Sequence, residues 1–535
     1  MIAQDRLGAR SGWRSGFVLV AAGGAAATGF QPLALWPITL LALAHFIACV
    51  DHARSPLRAA GIGWLFGLGL FTVGNGWIAK AFTYQAQMPA SLGWIAVVLL
   101  AAYLAIYPAL AAGAAALLAQ RRHAAIVPAV AACWIITEWL RSWMFTGFAW
   151  NPLAMATLGG FSRPGLALIA PWLGTYALSG LVVLLAGQWL FAARALRAKQ
   201  WPFAAAYALL PTLLFTLPLG GAGDQGTLAF TLVQPNTSQY EINDPTKFED
   251  HFLTAAKLSL PLAWKKQRLV LWPEGGVPDY LRPGYAPMWY QQTTYAADPA
   301  QARARMGRVI GARGLLLTGA TDLAQKNGQV IGASNVVTAL DGQGVIRGSY
   351  SKAHLVPYGE YLPMRPYLEA IGLSRLVGGT LDFLAGPGPK TINFGDPAKG
   401  GAGKAGIQIC YEIIFSGQVV DPRPYARPDY IFNPSIDGWF GAWGPPQHLA
   451  QARMRAIEEG LPVLRSTTTG ISAVIDADGV VRQFVPLGVA GRIDGLVPPP
   501  HAPTLFARLG NALVLIWASG LLACAIVVAR RKRSR

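Results

Sequence analysis

The stretch IQICYEIIF, residues 407–415, places Cys410 at the end of an apolar run typical of a buried strand, with Glu412 two residues further on. A buried structural cysteine would explain the apolar neighbours but not the carboxylate. Similar strand-like runs occur at 227–234, 267–274, 314–321, 334–340 and 429–435. Helix-like segments lie between some of them, at 250–264 and 448–460. Strands that alternate with helices indicate an α/β domain, and continuously apolar runs such as RLVLW (268–272) suit strands buried on both faces.

The remainder of the chain is far more apolar than an ordinary soluble protein. Over 535 residues the chain is 53% hydrophobic and only 13% charged, whereas soluble domains are about 25% charged. Residues 16–50 carry no charge and are too long for one crossing, so the break at Gln31, Pro32 and Pro37 indicates a helical hairpin. Further apolar runs occupy residues 59–79, 91–119, 124–143, 165–193, 201–219 and 509–529. Together these runs predict eight membrane spans, seven before a polar block and one after it.

The net charge of +18 is concentrated between the apolar runs rather than in the polar block. Residues 225–500 hold 25 Lys and Arg against 22 Asp and Glu, a net of only +3. They contain no basic face and no aromatic–basic motif, so binding to nucleic acid is disfavoured.

The positive-inside rule sets the orientation of the spans. With the N-terminus in the cytoplasm, the inner segments carry fifteen basic residues and the outer segments near the spans carry four. The inner residues are Arg6, Arg10, Arg14, Arg54, Arg58, Arg121, Arg122, Arg194, Arg197, Lys199, Arg530, Arg531, Lys532, Arg533 and Arg535. The outer residues are Lys80, Arg141, Arg163 and Arg508. Because seven spans precede it, the polar block is predicted to lie outside the cytoplasm.

Three local features of the apolar part have alternative interpretations. Residues 1–30 also have the basic start, apolar middle and small residues of a cleaved signal peptide, although this does not explain an uncharged run up to residue 50. Glu138 and Arg141, near the outer end of the fifth span, are either a functional intramembrane pair or a structural one. Gly63 and Gly67, in GIGWLFGLG (61–69), have a spacing that favours close helix packing over nucleotide binding.

Three polar residues close or follow strand-like runs of the polar block, where the ligands of α/β sheets gather. Glu274 ends RLVLWPE, Lys352 follows GVIRGSYS and Cys410 ends GIQIC. Each residue alone is most often structural or solvated. Together they form the set that cysteine acyl chemistry needs, because a thiol requires a base and a tetrahedral oxyanion requires a positive charge. The sequence therefore predicts a thiol nucleophile that works without histidine.

Other chemistries find less support in the sequence. The seven His and four Cys form no H-E-x-x-H or C-x-x-C pattern, so a metal site lacks a signature, and no G-x-S-x-G elbow occurs. GPGPKT (386–391) imitates a phosphate-binding loop, but Pro389 replaces the glycine required before the lysine. Cys410 is the one cysteine of the polar block, so that block has no internal disulfide.

Several segments of the chain resemble the nitrilase superfamily and, more closely, its membrane-embedded apolipoprotein N-acyltransferase family. They are EWLRSWMFTGFAWNPLA (138–154), LWPEGG (271–276), SKAHLVPYGEYLP (351–363), CYE (410–412) and DGWFGAWGPPQHLAQARMRAIEEGLPVLRSTTTG (437–470). The resemblance implies an α/β fold, a nitrilase-like α-β-β-α sandwich inserted in a helical membrane bundle of about eight spans. The expected domains are a membrane domain of about seven helices (1–224), a catalytic domain (225–500) and a C-terminal helix with a basic tail (501–535).

The resemblance also assigns roles to individual residues. It implies that Cys410 is the nucleophile, Glu274 the general base and Lys352 the stabiliser of the oxyanion. Further active-site positions of the family match Glu360, Tyr411 and Glu412. The chain departs from the family in two places: Asn243 lies in a loop (233–245) that often carries Trp, and Ile436 stands where Asn is common.

The reaction implied by the resemblance needs no cofactor and no metal. It transfers the sn-1 acyl chain of a membrane phospholipid, expected to be phosphatidylethanolamine, through a cysteine thioester to the N-terminal amine of diacylglyceryl-cysteine in apolipoproteins. The implied location is the bacterial inner membrane, with the catalytic domain in the periplasm. Two loops rich in aromatic and apolar residues, 280–295 and 361–379, have a composition suited to lipid entry into the site. Alternatively, these loops pack on their own domain. Two other functions remain open: a membrane-tethered amidase or nitrilase that uses water, and a lipid-binding receptor or transporter.

Overall fold

The structure, a computed structural model, describes residues 2–84, 89, 91–119, 122–218, 220–221, 223–262, 267–369, 382–423 and 425–530. The α-helices in this part of the chain are α1 (Ile2–Ala26), α2 (Trp36–Asp51), α3 (Pro56–Gly74), α4 (Ile78–Ala81), α5 (Ser91–Leu104), α6 (Ile106–Ala119), α7 (Ile126–Trp143), α8 (Ala170–Arg197), α9 (Trp201–Thr216), α10 (Phe248–Ser259), α11 (Pro287–Thr293), α12 (Pro299–Ile310), α13 (Arg365–Glu369), α14 (Gly444–Glu459), α15 (Leu505–Leu509) and α16 (Ala512–Arg530).

The strands are β1 (Ala229–Gln234), β2 (Arg268–Leu271), β3 (Gly314–Lys326), β4 (Gln329–Asp341), β5 (Ile346–Ser351), β6 (Thr391–Asn393), β7 (Lys404–Ile407), β8 (Tyr430–Ser435), β9 (Val463–Thr467), β10 (Ser472–Ile475), β11 (Val481–Val485) and β12 (Gly491–Leu496). The chain divides into two compact units. The helical unit comprises Met1–Ala79, Ala90–Gly220 and Pro503–Arg535, and the sandwich unit comprises Lys80–Pro89 and Gly221–Ala502.

Helix boundaries in the helical unit follow local sequence signals. Ser55 caps α3 by accepting a hydrogen bond from the backbone N–H of Arg58 at 3.3 Å, and Pro56 begins the helix because its fixed φ suits the first turn. α1 ends at Ala26 and α2 begins at Trp36, so the helical break includes the predicted Gln31 and Pro32. The prediction was wrong for Pro37, which lies in the first turn of α2, where proline is tolerated because the backbone N–H has no partner within the helix.

Close packing between helices explains the glycines of α3. A Cβ atom on Gly63 would lie 2.3 Å from the carbonyl oxygen of Pro108, and one on Gly67 would lie 2.9 Å from Cα of Ala105. Neither position has room for a side chain, so the lack of one lets these backbones approach each other closely. The predicted packing role of both glycines is confirmed.

Four helical stretches among the described residues are long and apolar enough to cross a membrane. They are Pro56–Gly74, Ser91–Ala119, Leu166–Arg197 and Ala512–Arg530, and two shorter apolar helices are Trp36–Asp51 and Trp201–Thr216. These helices fit a membrane protein, while the count of eight spans stays a prediction. Residues 121 and 531–535, which contribute to the predicted inner charge, lie outside the described residues.

Glu138 and Arg141 lie buried on α7 and hold the segment that follows it. Their nearest charged atoms are 3.9 Å apart. Arg141 Nη1 donates to the carbonyl oxygens of Phe148 and Trp150, at 2.8 and 2.9 Å. Glu138 Oε1 accepts from the backbone N–H of Leu153 at 3.0 Å. These bonds between side chains and backbone match the structural alternative for the pair.

The sandwich unit contains two six-stranded sheets of the same plan. Their strand orders are β12-β1-β2-β3-β4-β5 and β11-β10-β9-β8-β7-β6. In the first sheet β1, β2 and β3 are parallel, in the second β7, β8 and β9 are parallel, and the remaining neighbours in both are antiparallel. Each sheet therefore has a parallel centre with antiparallel strands on both sides.

The two sheets share one apolar core, and helices cover their outer faces. Leu271 of the first sheet and Phe432 of the second belong to that core, while Val270 faces the other way and packs with Phe252 of α10 and Met306 of α12. Strand β2 is thus buried on both faces, as its continuous apolar run predicted. α14 packs against β9 of the second sheet. The predicted α-β-β-α sandwich is confirmed.

The sandwich places the candidate side chains just beyond the ends of strands. Lys352 directly follows β5, and Glu274 lies three residues beyond β2. The expectation that Cys410 ends a strand is wrong, because β7 ends at Ile407 and Cys410 begins a short 3₁₀ helix, Cys410–Ile414. The Glu412 carboxylate accepts the hydrogen bond of the Ile409 N–H at 2.7 Å, which removes that group from the strand ladder.

Candidate active site

A buried lysine lies between two carboxylates that come from different parts of the sandwich unit. Lys352 Nζ is 2.9 Å from Glu360 Oε1 and 3.4 Å from Glu274 Oε1. Asn335, on β4, donates from Nδ2 to the same two oxygens, at 2.7 Å to Glu274 and 3.0 Å to Glu360. The lysine is 1% exposed. One amide and one ammonium group therefore bridge two acids that would otherwise repel each other.

Backbone groups fix the second oxygen of each acid. Glu274 Oε2 accepts from the Ile436 N–H at 2.8 Å, and Glu360 Oε2 accepts from the Val356 N–H at 2.8 Å. The departure at Ile436 therefore leaves this bond in place, because the bond is made by the main chain and not by the side chain.

The charge state of Lys352 follows from its neighbours. Burial by itself would lower the pKa of the ammonium group, but Glu274 and Glu360 outweigh burial and raise it above its ordinary value. The lysine is therefore charged at neutral pH, and it presents a cation in a buried site.

Cys410 is the buried nucleophile candidate, and its backbone is held in an unusual conformation. Its φ of 50° lies in the left-handed region, which costs free energy for a residue with a side chain. Burial raises the pKa of the thiol well above its ordinary value, and the negative charge of Glu274 raises it further, while Lys352 opposes both effects. The resting thiol is therefore protonated, so it needs a base before it can attack.

Glu412 joins the backbone around Lys352 to the backbone before Cys410. Its Oε1 accepts from the Ala353 N–H at 2.7 Å, from the His354 N–H at 3.2 Å and from the Tyr350 hydroxyl at 2.8 Å, and its Oε2 accepts from Ile409. This carboxylate thus ties together the two segments that carry the lysine and the thiol.

Tyr411, the residue after Cys410, is part of a buried aromatic group. Its ring meets Phe415 edge-on with the ring centres 5.2 Å apart, and Phe415 stacks on His354 at 4.3 Å. The structure thus brings Lys352 into direct contact with Glu274 and with Glu360, and Glu412 ties the segment of Lys352 to that of Cys410. The roles that the resemblance assigns to the six residues stay predictions.

Replacing Glu412 with glutamine is expected to change how stability depends on pH. Burial raises the pKa of Glu412 to about 7, although its hydrogen bonds lower it. Its carboxyl group keeps its proton in the folded chain after the unfolded chain, with a pKa near 4.5, has lost it. The free energy of unfolding therefore falls as pH rises from about 5 to about 7, by about 3 kcal/mol for this one group.

Thermal unfolding of the detergent-solubilised protein at pH 5, 6, 7 and 8 measures this effect. The Glu412→Gln variant should show a shallower fall in unfolding temperature than the unsubstituted protein. Glu241→Gln, at an exposed position, should leave the pH dependence unchanged. An identical slope in the Glu412→Gln variant would show that this group does not carry the effect.

Two loops that the sequence associated with lipid access differ in how much of them the structure describes. In residues 280–295, Tyr280 packs edge-on against Trp289 and Tyr285 stacks on Tyr290, so much of this loop packs on itself. Met288 stays 58% exposed. In the second loop, residues 370–381 lie outside the described residues. Asn243 lies exposed in the loop between β1 and α10.

Sequence reasoning did not find Asn335, although this residue contacts both acids. It lies within the run SNVVTAL that was predicted as a strand. An amide on a buried strand requires a hydrogen-bond partner, and this was the available signal. The partners, Glu274 and Glu360, are 61 and 25 residues away in sequence, so the pattern alone could not identify them.

Comparison with known proteins matches both parts of the chain. Residues 22–188 match the family model "Apolipoprotein N-acyltransferase N-terminal domain", and residues 231–487 match "Carbon-nitrogen hydrolase". A protein named "Apolipoprotein N-acyltransferase" from Bradyrhizobium diazoefficiens is 34% identical over 550 residues, covering 98% of this chain and 96% of the relative. One of the same name from Caulobacter vibrioides is 32% identical over 559 residues, covering 99% and 98%.

Solved structures of the carbon-nitrogen hydrolase type resemble part of the chain. A carbon-nitrogen hydrolase from Helicobacter pylori G27 is 14% identical, with a TM-score of 0.35, and the match covers 57% of this chain and 95% of that one.

Proposed function

The chain belongs to the apolipoprotein N-acyltransferase family, and on that basis we propose that it transfers an acyl chain from a membrane phospholipid to a lipoprotein amine through a thioester on Cys410. The donor is the sn-1 ester of a phospholipid, with phosphatidylethanolamine as the expected one. The acceptor is the N-terminal amine of diacylglyceryl-cysteine.

What supports the proposal is a buried thiol that responds to the charges of Glu274 and Lys352, two groups that contact each other directly. The charge of Glu274 acts on the Cys410 thiol, and so does the charge of Lys352. In the proposed mechanism Glu274 takes the thiol proton, and the Lys352 ammonium supplies positive charge for the oxyanion that follows.

In the first half-reaction, the thiol proton moves to Glu274 and the sulfur forms a bond to the ester carbonyl carbon. The negative charge that develops on the carbonyl oxygen is stabilised by Lys352. When the tetrahedral intermediate collapses, the carbon–oxygen bond of the ester breaks. The proton on Glu274 passes to the departing glycerol oxygen, so a lysophospholipid leaves and a thioester remains.

In the second half-reaction, the acceptor amine forms a bond to the thioester carbonyl carbon. The carbon–sulfur bond breaks, and Glu274 carries a proton from the amine to the departing sulfur. The product is an amide, and Cys410 returns as a thiol. Glu360 and Asn335 hold Lys352 and Glu274 throughout, because each contacts one or both of them.

The tethered hydrolase shares this set of residues, so the acceptor decides between the two functions. The unsubstituted protein, loaded with phospholipid and then given a diacylglyceryl-cysteine peptide, is expected to yield a peptide amide detected by mass spectrometry. Without the peptide the thioester should persist, because a transferase excludes water from the acyl site. Rapid release of free fatty acid with no amide would identify a hydrolase instead.

The proposed location is the bacterial inner membrane with the sandwich unit in the periplasm, supported by the asymmetry of basic residues. A reporter enzyme that is active only outside the cytoplasm should be active when fused after Gly400. The same reporter fused after Arg535 should be inactive, and a cytoplasmic reporter should give the opposite pattern. Cytoplasmic activity of the fusion at Gly400 would reverse the assigned orientation.

A further inference from the structure

The buried His448 contacts the backbone of the nucleophile candidate. It lies in the second turn of α14, and its side chain is fully buried. Its Nε2 atom is 3.0 Å from the carbonyl oxygen of Cys410. Its Nδ1 atom is 3.0 Å from Asp437 Oδ1 and 3.0 Å from Arg465 Nη2. Both ring nitrogens are therefore engaged, one by the main chain of Cys410 and the other by an ion pair.

The hydrogen on Nε2 follows from the chemistry of its partner. A carbonyl oxygen only accepts hydrogen bonds, so the contact with Cys410 is favourable only when Nε2 carries a hydrogen. This holds for the neutral ring and for the charged ring alike. The opposite neutral form would leave two lone pairs facing each other in a buried place.

The ion pair that holds Nδ1 is itself held by further hydrogen bonds. Arg465 Nη2, on β9, reaches both carboxylate oxygens of Asp437, at 2.9 and 2.7 Å. Its Nη1 donates to Ser435 Oγ at 3.1 Å and to the side-chain oxygen of Asn433, both on β8. The side chains of Asp437 and Arg465 are fully buried. Residues of the second sheet therefore hold the His448 ring on its Nδ1 side.

Cys410 has a conformational reason to need such a contact. Its left-handed φ of 50° is unfavourable for a residue with a side chain, so surrounding contacts have to maintain it. The other side chain near its carbonyl oxygen is Asn433, whose Nδ2 is 3.5 Å away, against 3.0 Å for His448. His448 is thus the closer donor to this peptide group.

We propose that His448 is a positioning residue, which holds the Cys410 carbonyl through its Nε2–H and so keeps the thiol aimed at Glu274 and Lys352. This inference rests on the proposed function, because it assumes that Cys410 carries the acyl chain. The ring acts through the backbone of Cys410 and does not exchange protons with the thiol.

Two substitutions separate positioning from a purely structural role. The amide of glutamine reaches the place of Nε2, so His448→Gln keeps a donor to Cys410 and loses the contact with Asp437 and Arg465. The amide of asparagine lies near the place of Nδ1, so His448→Asn keeps the ion-pair contact and loses the donor. A misplaced reacting group costs about 10²-fold in rate. Acyl-enzyme formation should therefore be about 10²-fold slower in His448→Asn and clearly faster in His448→Gln than in His448→Asn.

The measurements are the rate of acyl-enzyme formation from phospholipid, the rate of Cys410 alkylation followed by peptide mass spectrometry, and the thermal unfolding temperature. If His448 positions Cys410, both the acylation rate and the alkylation rate should be higher in His448→Gln than in His448→Asn. This order should hold even if the two unfolding temperatures follow a different order. Equal rates, or asparagine above glutamine, would overturn the proposal. His501→Gln, at a half-exposed ion pair with Asp478, is the matched control and should leave both rates unchanged.

Failure of the proposed function would look different from failure of this inference. If Cys410 carried no acyl chain, the unsubstituted protein would form no acyl-enzyme, while the order of alkylation rates would still test His448. If both variants fail to fold, the position of the hydrogen on the His448 ring of the unsubstituted protein tests the proposal instead. Nitrogen NMR of protein labelled with ¹⁵N-histidine should show a buried ring with hydrogen on Nε2. A ring that carries hydrogen only on Nδ1 would overturn the proposal.

Discussion

Replacing Cys410 with serine or alanine is expected to abolish acyl transfer, with a loss on the order of 10⁴-fold or more. The alanine variant has no atom to carry the acyl chain. The serine variant has one, but a hydroxyl is far harder to ionise than a thiol, whose ordinary pKa is near 8.5, and burial already raises the pKa of the thiol at this position. Glu274, the proposed base, is therefore not expected to activate serine at a useful rate.

The measurement for Cys410 is a covalent intermediate and not only a rate. Protein purified from membranes that contain phospholipid should hold an acyl chain that hydroxylamine releases, as a thioester requires. Cys410→Ala should hold none, and Cys410→Ser should hold at most a slowly formed oxygen ester. Cys524→Ser, an exposed position on α16, should behave as the unsubstituted protein. A hydroxylamine-labile acyl chain that persists in Cys410→Ala would place the nucleophile elsewhere.

The continuous apolar runs made the centre of the sandwich predictable. β2 and β8 are buried on both faces. A strand buried on both faces needs mostly apolar side chains, and such a run can be recognised in the sequence. Two strands with charged side chains, β9 and β12, were not predicted. β9 contains the buried Arg465, which is tolerable there because Asp437 pairs with it, and β12 alternates Arg492 and Asp494, which pair with each other. Such strands depend on partners that a local pattern does not contain.

A hairpin signal was present in the sequence but was not used. Asn327 and Gly328 join β3 to β4 with φ values of 52° and 77°, as a two-residue hairpin turn requires. This Asn-Gly pair predicts that the two strands are antiparallel neighbours, which they are. Alternating strands and helices indicate the parallel centre of the sheet, whereas the signal for this antiparallel pair is confined to the Asn-Gly dipeptide.

For the candidate site, residue types predicted the candidate catalytic residues but not the neighbouring residues that hold them in place. Glu274, Lys352 and Cys410 could be singled out because each follows a strand-like run and because the resemblance named them. Asn335 and His448 could not be found in this way. Each acts on a partner far away in sequence, 61 residues for Asn335 and Glu274 and 38 residues for His448 and Cys410. Only the fold brings such pairs together.

The membrane part shows the limit of composition as a guide. The predicted fifth span corresponds to α7, which carries Glu138 and Arg141 in its last turns. This helix is not among the four clearly apolar stretches. Arg141 and one oxygen of Glu138 are bonded to the following backbone inside the helical unit, so hydropathy alone underrates this helix. Its place in the membrane therefore stays a prediction.

Replacing Glu274 with glutamine is expected to slow formation of the acyl-enzyme by about 10²–10⁴-fold, because glutamine cannot accept the thiol proton. Replacing Lys352 with methionine is expected to slow it by about 10²–10³-fold, because the oxyanion loses its cation. Both variants should insert in the membrane normally. The rate is measured in single turnover, by quenching after addition of phospholipid and counting the acyl chains on Cys410 by mass spectrometry.

Loss of Lys352 also leaves Glu274 and Glu360 facing each other without a cation, and removing one partner of a buried ion pair costs about 3–5 kcal/mol of stability. A slow Lys352→Met variant could therefore reflect poor folding alone. The double variant Lys352→Met with Glu360→Gln removes one buried negative charge together with the positive one, so its unfolding temperature should recover. Acylation should stay slow in this double variant, since the cation that faces the oxyanion is still missing. If acylation recovers along with stability in the double variant, Lys352 serves the fold and not the reaction. Near-normal acylation in the Glu274→Gln variant would show that Glu274 is not the base.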